Sequence, residues 1–149
     1  MVFSYIMIVM KEEHVIDRNK VFKVAKEDLG CSQPFLNIGK YEIVSSSPQE
    51  EFPLPVIEIN GHYFLTDGHT RAYISENNEI EVYLDEDISE SKIQSQAYQA
   101  FIKWTQAEGV NSVDDLADRI ISEKQFKEIW IKRCEGHYTE IAKEEENEE

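Results

Sequence analysis

The chain has 149 residues, of which 41% are hydrophobic and 11% aromatic, and this composition excludes a chain that is disordered throughout. Its formal net charge is −15, with 15 Lys and Arg against 30 Asp and Glu. Proteins bind nucleic acid mainly by contacting phosphates with Lys and Arg, and no basic run occurs here. We therefore do not expect nucleic acid as a partner.

The cysteines and the apolar first residues bear on cellular location. Cys31 and Cys134 lie far apart without CxxC spacing, which argues against a disulfide framework. Residues 1–10 (MVFSYIMIVM) are far fewer than the roughly 20 that a membrane helix needs. They also lack a basic leading region, and Lys11 follows at once. We interpret them as a buried strand or a start-site extension of a soluble, cytoplasmic protein with no membrane partner.

Two elements are expected before residue 53. Residues 14–29 place apolar side chains among charges at a weak helical period, and Gly30 is a suitable stop, so a helix is predicted. Residues 35–44 (FLNIGKYEIV) are rich in β-branched and aromatic side chains and predict a strand. A polar loop through residue 52 is expected to follow.

The clearest local signal lies in residues 55–66 (PVIEINGHYFLT), where two apolar-rich runs flank Asn60 and Gly61. Asn-Gly tolerates the two positive φ angles of a type I′ turn, so this pattern predicts a β-hairpin.

A short helix and a third strand are predicted after the hairpin. Residues 69–75 favour the helix, with Asp67 or Thr66 as its N-cap. Residues 79–84 (EIEVYL) alternate apolar and polar side chains, which predicts a strand with Ile80, Val82 and Leu84 on one face.

The last 60 residues have a helical pattern. Three helices are predicted: residues 90–108 ending at Gly109, residues 113–121 starting with a capping box of Ser112 and Asp115, and residues 123–135 starting after Ser122 and ending at Gly136. We expect a small α+β domain over residues 1–89 and a helical extension packed on it over residues 90–142. Residues 143–149 (KEEENEE) predict an acidic, disordered tail.

One segment, Asp67-Gly68-His69-Thr70-Arg71, concentrates polar chemistry at a strand-to-helix junction. A helix N-terminus offers unpaired backbone N–H groups, and glycine lets a ligand approach the backbone. Arg71 can hold phosphate oxygens in a bidentate manner, and Asp67 can hold Mg²⁺ or accept a proton. An equally simple interpretation is structural, with Asp67 as a cap, Gly68 in a turn and Arg71 in a surface ion pair.

The order of an apolar strand, an NG turn, YFLTDGHTRAYI and an IEVYLDED strand resembles the ParB/sulfiredoxin-like fold over about residues 35–87. The closest likeness is to small ParB-like proteins with a DGHTR or DGHHR box. The resemblance implies a small mixed sheet with helices whose signature loop binds nucleotide phosphates. By position, Gly68 and Arg71 match the Gly and Arg that the family shares, and His69 and Thr70 would add hydrogen bonds.

The family contains several activities, and the residues favour some over others. His69 stands where sulfiredoxins carry their catalytic cysteine, so we do not expect sulfinic-acid reductase activity. Partitioning ParB proteins add a basic DNA-binding segment, whereas residues 90–149 carry 8 basic and 14 acidic side chains. The box Asp67-Gly68-His69-x-Arg71 is similar to that of ParB-like free-serine kinases, which bind ADP beside a catalytic acid.

This resemblance implies a nucleotide (ATP, ADP or CTP), Mg²⁺ and a small-molecule acceptor as ligands. Asp67 would serve as base or Mg²⁺ ligand, and Glu42 as a second catalytic carboxylate, with Glu50 and Glu51 as alternatives. Phosphotransfer or nucleotide hydrolysis is the first hypothesis. The second is a non-catalytic module that binds a nucleotide or a protein partner, with the helical segment as the contact surface, and the third is nuclease activity. A homodimer is left open.

Other polar residues are interpreted as structural. His62 is expected on the surface beside the hairpin turn, and the isolated His14 and His137 do not form a metal-binding pattern. The run of residues 85–87 is interpreted as a solvated loop, with holding a cation near the signature loop as the alternative.

Overall fold

The computed structural model describes residues 16–46 and 53–148 and shows an α+β fold. Its main sheet has four strands in the order β1-β5-β3-β4. These strands are β1 (Phe22–Ala25), β3 (Leu54–Ile59), β4 (His62–Leu65) and β5 (Glu79–Leu84). The predicted N-terminal strand over residues 1–10, and Glu50 and Glu51, lie outside the described residues.

The predicted hairpin is confirmed as β3 and β4, which pair antiparallel from Val56↔Leu65 to Ile59↔His62. Asn60 and Gly61 have φ of 52° and 81°, the positive values that the turn requires. Strand β5 matches the predicted residues 79–84 and pairs parallel with β3. Since parallel neighbours need a crossover, the chain between β4 and β5 passes over the sheet, and the Asp67–Arg71 loop lies on this crossover.

The helix predicted over residues 14–29 is wrong for the described part. The chain forms a 3₁₀ turn at Arg18–Lys20, strand β1 and a second 3₁₀ turn at Lys26–Asp28. Phe22 and Val24 are two residues apart, so they share one face of the strand and pair with Val82 and Ile80 of β5. The strand period therefore prevails over the weak helical one.

The strand predicted over residues 35–44 is also wrong beyond its first residues. Only Leu36–Asn37 is extended (β2), paired parallel with β6 (Ile120–Ile121). Helix α1 then spans Ile38–Ser46. The side chain of Asn37 accepts a hydrogen bond from the Gly39 N–H (2.9 Å), which satisfies a backbone donor at the start of the helix. This local cap and the short partner strand outweigh strand propensity.

The main sheet is strongly curled. The rings of Phe22 on β1 and Tyr63 on β4, which lie on opposite edges, are 5.0 Å apart. On the outer side of β4, the N–H of Gly30 donates to the Tyr63 carbonyl, and the N–H of Leu65 donates to the Gly30 carbonyl (both 2.9 Å). The sheet encloses an aliphatic core, which we name the sheet core: Val24, Leu29, Cys31, Leu36, Leu54, Val56, Leu65, Ala72, Ile80, Val82, Val110, Val113 and Leu116.

Helices dominate after residue 85. They are α3 (Glu86–Glu90), α4 (Lys92–Ala107), a 3₁₀ turn (Val113–Leu116), α5 (Glu123–Gln125), a π-helical segment (Phe126–Ile131) and α6 (Lys132–Glu148). The predicted stop at Gly109 and the start after Ser122 are confirmed. The predicted boundary between residues 89 and 90 falls within α3.

Two C-terminal predictions are wrong. The helix over residues 113–121 is a single 3₁₀ turn, although Asp115 accepts the Ser112 N–H (3.1 Å) as in the predicted capping box, because β6 then pairs with β2. The helix does not end at Gly136 but continues to Glu148, so residues 143–148 are not a disordered tail. Ile141, which is 5% exposed, and the Lys92–Glu145 ion pair (2.9 Å) hold this last part in place.

Helices α4 and α6 pack on the other face of the hairpin and form a second core, the helical core. It comprises Ile57, Phe64, Ile88, Ala97, Tyr98, Phe101, Ile102, Trp130, Cys134 and Ile141. Among residues 16–46 and 53–148, no helix combines the length and apolar character needed to cross a membrane.

Candidate functional site: the Asp67–Arg71 loop

The loop leads from β4 into helix α2 (His69–Ile74), as predicted. The predicted cap is wrong: the N-cap residue is Gly68, with φ 79° and ψ 19°, which has no side chain to cap the helix. A Cβ atom on Gly68 would lie 2.6 Å from Cδ2 of Leu54. Both the positive φ and this close packing therefore require glycine.

Asp67 is half-buried and interacts with its own loop. Its Oδ1 accepts a hydrogen bond from the Gly68 N–H (2.8 Å). The carboxylate predicted to act as a base therefore accepts a hydrogen bond from a backbone N–H group of the loop predicted to bind phosphate.

His69 and Thr70 are each 3% exposed, so their side chains face the interior. The Nε2 atom of His69 accepts a hydrogen bond from the Ser32 N–H (3.0 Å). An accepting Nε2 carries no proton, so the imidazole is neutral with its proton on Nδ1. The imidazole thus ties the loop to the segment after Gly30, and any ligand role of these two side chains stays a prediction.

Arg71 is exposed and lies in the first turn of helix α2. The far end of α2 is held by Lys26, whose Nζ donates to the carbonyls of Tyr73 (3.0 Å) and Ser75 (2.6 Å). A cation is favourable at a helix C-terminus, and this lysine side chain is only 16% exposed. Helix α2, which carries Arg71, is thus held at its start by His69 and at its end by Lys26.

Asp85 joins the loop to the end of β5. This carboxylate is 5% exposed, and its Oδ2 accepts a hydrogen bond from the Thr66 hydroxyl (2.8 Å). Its Oδ1 accepts the Ile88 N–H (3.3 Å) and caps helix α3. The interpretation of residues 85–87 as a solvated loop is therefore wrong for Asp85, while Glu86 and Asp87 are exposed.

Tyrosine hydroxyls lie close to these carboxylates. Burial raises the pKa of Tyr83 to about 12, and the charges of Asp85, Asp67 and Asp87 contribute. Burial also raises the pKa of Tyr98 well above its ordinary value, with contributions from Tyr138, Asp67 and Asp85. These hydroxyls stay protonated at neutral pH and can donate hydrogen bonds.

The predicted carboxylate partner, Glu42, is on an exposed face of helix α1 and not in a strand or loop. Helix α1 does lie beside α2, since the rings of Tyr41 and Tyr73 are 6.3 Å apart. Among the described residues, no hydrogen bond or ion pair joins Glu42 to the loop, and its catalytic role stays a prediction. His62 is exposed beside the turn, as expected.

Neither cysteine can act as a nucleophile in its present surroundings. Burial raises the pKa of Cys31 and of Cys134 to about 12, with Asp115 contributing at Cys31 and Glu135 at Cys134. Arg133 opposes the shift at Cys134. The thiolate is the reactive form, so both thiols are unreactive at neutral pH.

In the part of the chain that the structure describes, no group of three or more His, Cys, Asp and Glu side chains can hold a metal ion. Mg²⁺ is commonly bound by one or two carboxylates together with substrate phosphates. The half-buried carboxylate of Asp67 fits a Mg²⁺ site in which substrate phosphates supply other ligands.

Sequence reasoning missed Lys26, Ser32 and Tyr98, and it interpreted Asp85 as part of a solvated loop or as a cation ligand, not as a cap. Asp85 had a readable signal, since an aspartate between a predicted strand and a helix is a typical N-cap. The contacts of Lys26, Ser32 and Tyr98 join residues more than 30 positions apart, and no local pattern indicates them.

Searches against protein-family models, curated proteins and solved structures gave no match. The likeness to the ParB/sulfiredoxin-like fold is thus neither confirmed nor contradicted, and it rests on the residues quoted above.

Proposed function

We propose that the chain binds the phosphates of a nucleotide at the Asp67–Arg71 loop, with Arg71 as the main phosphate contact. The observation that carries the proposal is that Arg71 is exposed on a short helix fixed at both ends: His69 accepts a hydrogen bond from Ser32 at its start, and Lys26 donates to the carbonyls at its end. The fixed helix holds the backbone of Arg71 in place, so only its side chain has to be ordered when the guanidinium binds phosphate. In a chain of net charge −15, an anionic ligand depends on such a local cation.

Asp67 would contribute the second function of the site. Bound Mg²⁺ would neutralise phosphate charge, and Asp67 would be its protein ligand beside the nucleotide. In an enzyme, the same carboxylate would alternatively accept a proton from an acceptor hydroxyl or a water. The resemblance implies phosphotransfer or nucleotide hydrolysis, with a small-molecule acceptor and with Glu42 as a second carboxylate.

A second candidate is nucleotide binding without chemistry. One observation favours it: Asp67 accepts a hydrogen bond from its own loop, and Glu42 lies exposed on helix α1. Nuclease activity remains the third hypothesis, and the charge of −15 weighs against it.

The binding proposal is tested by thermal shift with ATP, ADP, CTP, GTP and pyrophosphate, each with and without Mg²⁺. Ligand at 100 times its Kd stabilises by about 2.7 kcal/mol, roughly 5–10 °C for a chain of this size. We expect this shift for the wild type, and its loss in Arg71→Ala. Arg18→Ala is the matched control, because it removes an exposed arginine that pairs with Glu81 (3.1 Å) away from the loop.

The proposal is contradicted if none of the five ligands shifts the Tm of the wild type, or if Arg71→Ala shows the same shift as the wild type and Arg18→Ala. If a nucleotide binds, Asp67→Asn separates the two candidates. Loss of product formation with retained binding indicates catalysis. A wild type that binds but forms no product with any acceptor indicates a binding module. A plasmid-nicking assay with Mg²⁺ or Mn²⁺ tests the third hypothesis.

A further inference from the structure

Tyr98 connects the helical layer to the loop. It lies on α4 and is 9% exposed, and its hydroxyl donates a hydrogen bond to the carbonyl oxygen of Thr66 (3.3 Å). Thr66 directly precedes Asp67. Its carbonyl and the nitrogen of Asp67 belong to one planar peptide group. Fixing that carbonyl therefore fixes the orientation of the first peptide plane of the loop.

Thr66 is held by three separate elements. Its N–H donates to the Pro55 carbonyl on β3 (3.0 Å), and its hydroxyl donates to Asp85 at the end of β5 (2.8 Å). These two contacts come from neighbouring strands of the sheet. The third contact, from Tyr98, comes from a helix that is not part of the sheet, so it makes the start of the loop depend on how α4 is docked.

The Tyr98 side chain is held in place by its packing in the helical core. Its ring packs edge-on against Phe101 at 5.3 Å between centroids, and its neighbours Ala97 and Ile102 are buried. Burial raises the pKa of Tyr98, so the hydroxyl remains a donor throughout the neutral range. The donor is therefore permanently present and rigidly placed.

We propose that Tyr98 is a positioning residue for the Asp67–Arg71 loop, so that helix α4 is a required part of the ligand site. Only the expected effect of Tyr98 on nucleotide affinity rests on the proposed nucleotide binding. The effect of Tyr98 on the loop is independent of any ligand. Coupling is reciprocal, so a ligand bound at the loop also stabilises the docked position of α4.

The test compares Tyr98→Phe with Thr105→Val in the full chain. Both changes remove one buried hydroxyl from α4, but the Thr105 hydroxyl donates only within its own helix, to the Phe101 carbonyl (2.7 Å). Hydrogen–deuterium exchange of a peptide covering residues 66–75 is measured, with a peptide covering β1 as internal reference. Affinity for ATP with Mg²⁺ is measured by calorimetry.

We expect Tyr98→Phe to speed exchange in residues 66–75 about three- to tenfold and to weaken ATP binding by a similar factor. Thr105→Val should leave both within about twofold, as its hydrogen bond does not reach the loop. Equal changes in the two variants, exchange that rises uniformly to include β1, or unchanged exchange in Tyr98→Phe would each overturn the inference.

The two proposals fail separately. If the wild type does not bind ATP, proposed ATP binding fails, and the exchange measurement alone decides whether Tyr98 positions the loop. If ATP binds and Tyr98→Phe leaves loop exchange at the wild-type rate, the positioning role fails while nucleotide binding stands.

Discussion

The two cores of the molecule bury different kinds of side chain. The sheet core is almost wholly aliphatic, with residues such as Leu65 and Val82 fully buried on the curled sheet. The helical core is aromatic, and the Phe101 ring lies within 6.3 Å of five other rings: Tyr98, Trp104, Trp130, His137 and Tyr138.

This difference explains how each region reaches the candidate site. Aliphatic side chains carry no polar atoms, so the sheet side holds the loop through separate polar groups, His69 and Lys26. A buried tyrosine combines a packing ring with a hydroxyl, so the helical core holds the loop through Tyr98, a member of its own packing. The helical layer is therefore linked to the site through its core.

The largest expected effect is that of Phe101→Ala, which removes the centre of the aromatic contacts. We expect a loss of about 3–5 kcal/mol in the free energy of unfolding, since large aromatic-to-alanine changes leave a cavity as well as losing burial. Urea denaturation measures it. Ile129→Ala is the control, because that side chain is 50% exposed and should cost no more than about 0.5 kcal/mol. Similar losses for both would contradict an aromatic core centred on Phe101.

Gly68→Ala is expected to destabilise the loop itself, by about 1–3 kcal/mol, from the positive φ and the contact with Leu54. Gly61→Ala is the matched control: its φ is also positive (+81°), but no atom lies within 4 Å of the added Cβ. It should therefore cost less than Gly68→Ala in thermal denaturation. An equal or smaller cost for Gly68→Ala would show that the packing on Leu54 adds nothing to the backbone strain.

Alkaline pH tests both cores, because each contains one buried thiol. The folded pKa of Cys31 and Cys134, about 12, exceeds the ordinary thiol value of 9.0, so the folded state binds more protons than the unfolded state between these values. The two thiols therefore leave stability unchanged below about pH 9 and lower it above that pH, by up to about 1.4 kcal/mol per pH unit for each thiol. Tyr83, with a pKa of about 12 against 10.0, adds to the fall above pH 10.

Urea denaturation from pH 7 to 11 measures this dependence. Cys31→Ala and Cys134→Ala should each have a shallower decline than the wild type, whatever their stability at pH 7. An unchanged slope in either variant would mean that the thiol in that core is not shielded from water.

The strongest local patterns predicted three strands of the main sheet, β3, β4 and β5, and the short helix α2. Asn60-Gly61 determines its own turn, and the alternation of Ile80 and Val82 gave the bounds of β5. Residues 14–46 were predicted wrongly because their structure depends on distant partners: β1 on β5, and β2 on β6. Pairing between remote segments cannot be read from a local period.

The Asp67–Arg71 loop lies at the predicted strand-to-helix junction, but the burial of two of its residues was not foreseen. The resemblance implied ligand contacts for His69 and Thr70, whereas the structure buries both side chains. His69 contacts Ser32, in a segment that pairs with β4 through Gly30. Such a contact follows from the tertiary fold, as does that of Tyr98.

The smallest expected effect concerns Gly136, where the sequence predicted a helix end and the structure shows an uninterrupted helix. A Cβ atom there would meet nothing within 4 Å, and its φ is not positive. Gly136→Ala should therefore stabilise the protein by about 0.5–1 kcal/mol, because alanine loses less backbone freedom in a helix. Thermal denaturation gives the sign directly. A left-handed glycine ending the helix would make the same change destabilising, so a lower Tm would contradict a continuous α6 docked on the helical core.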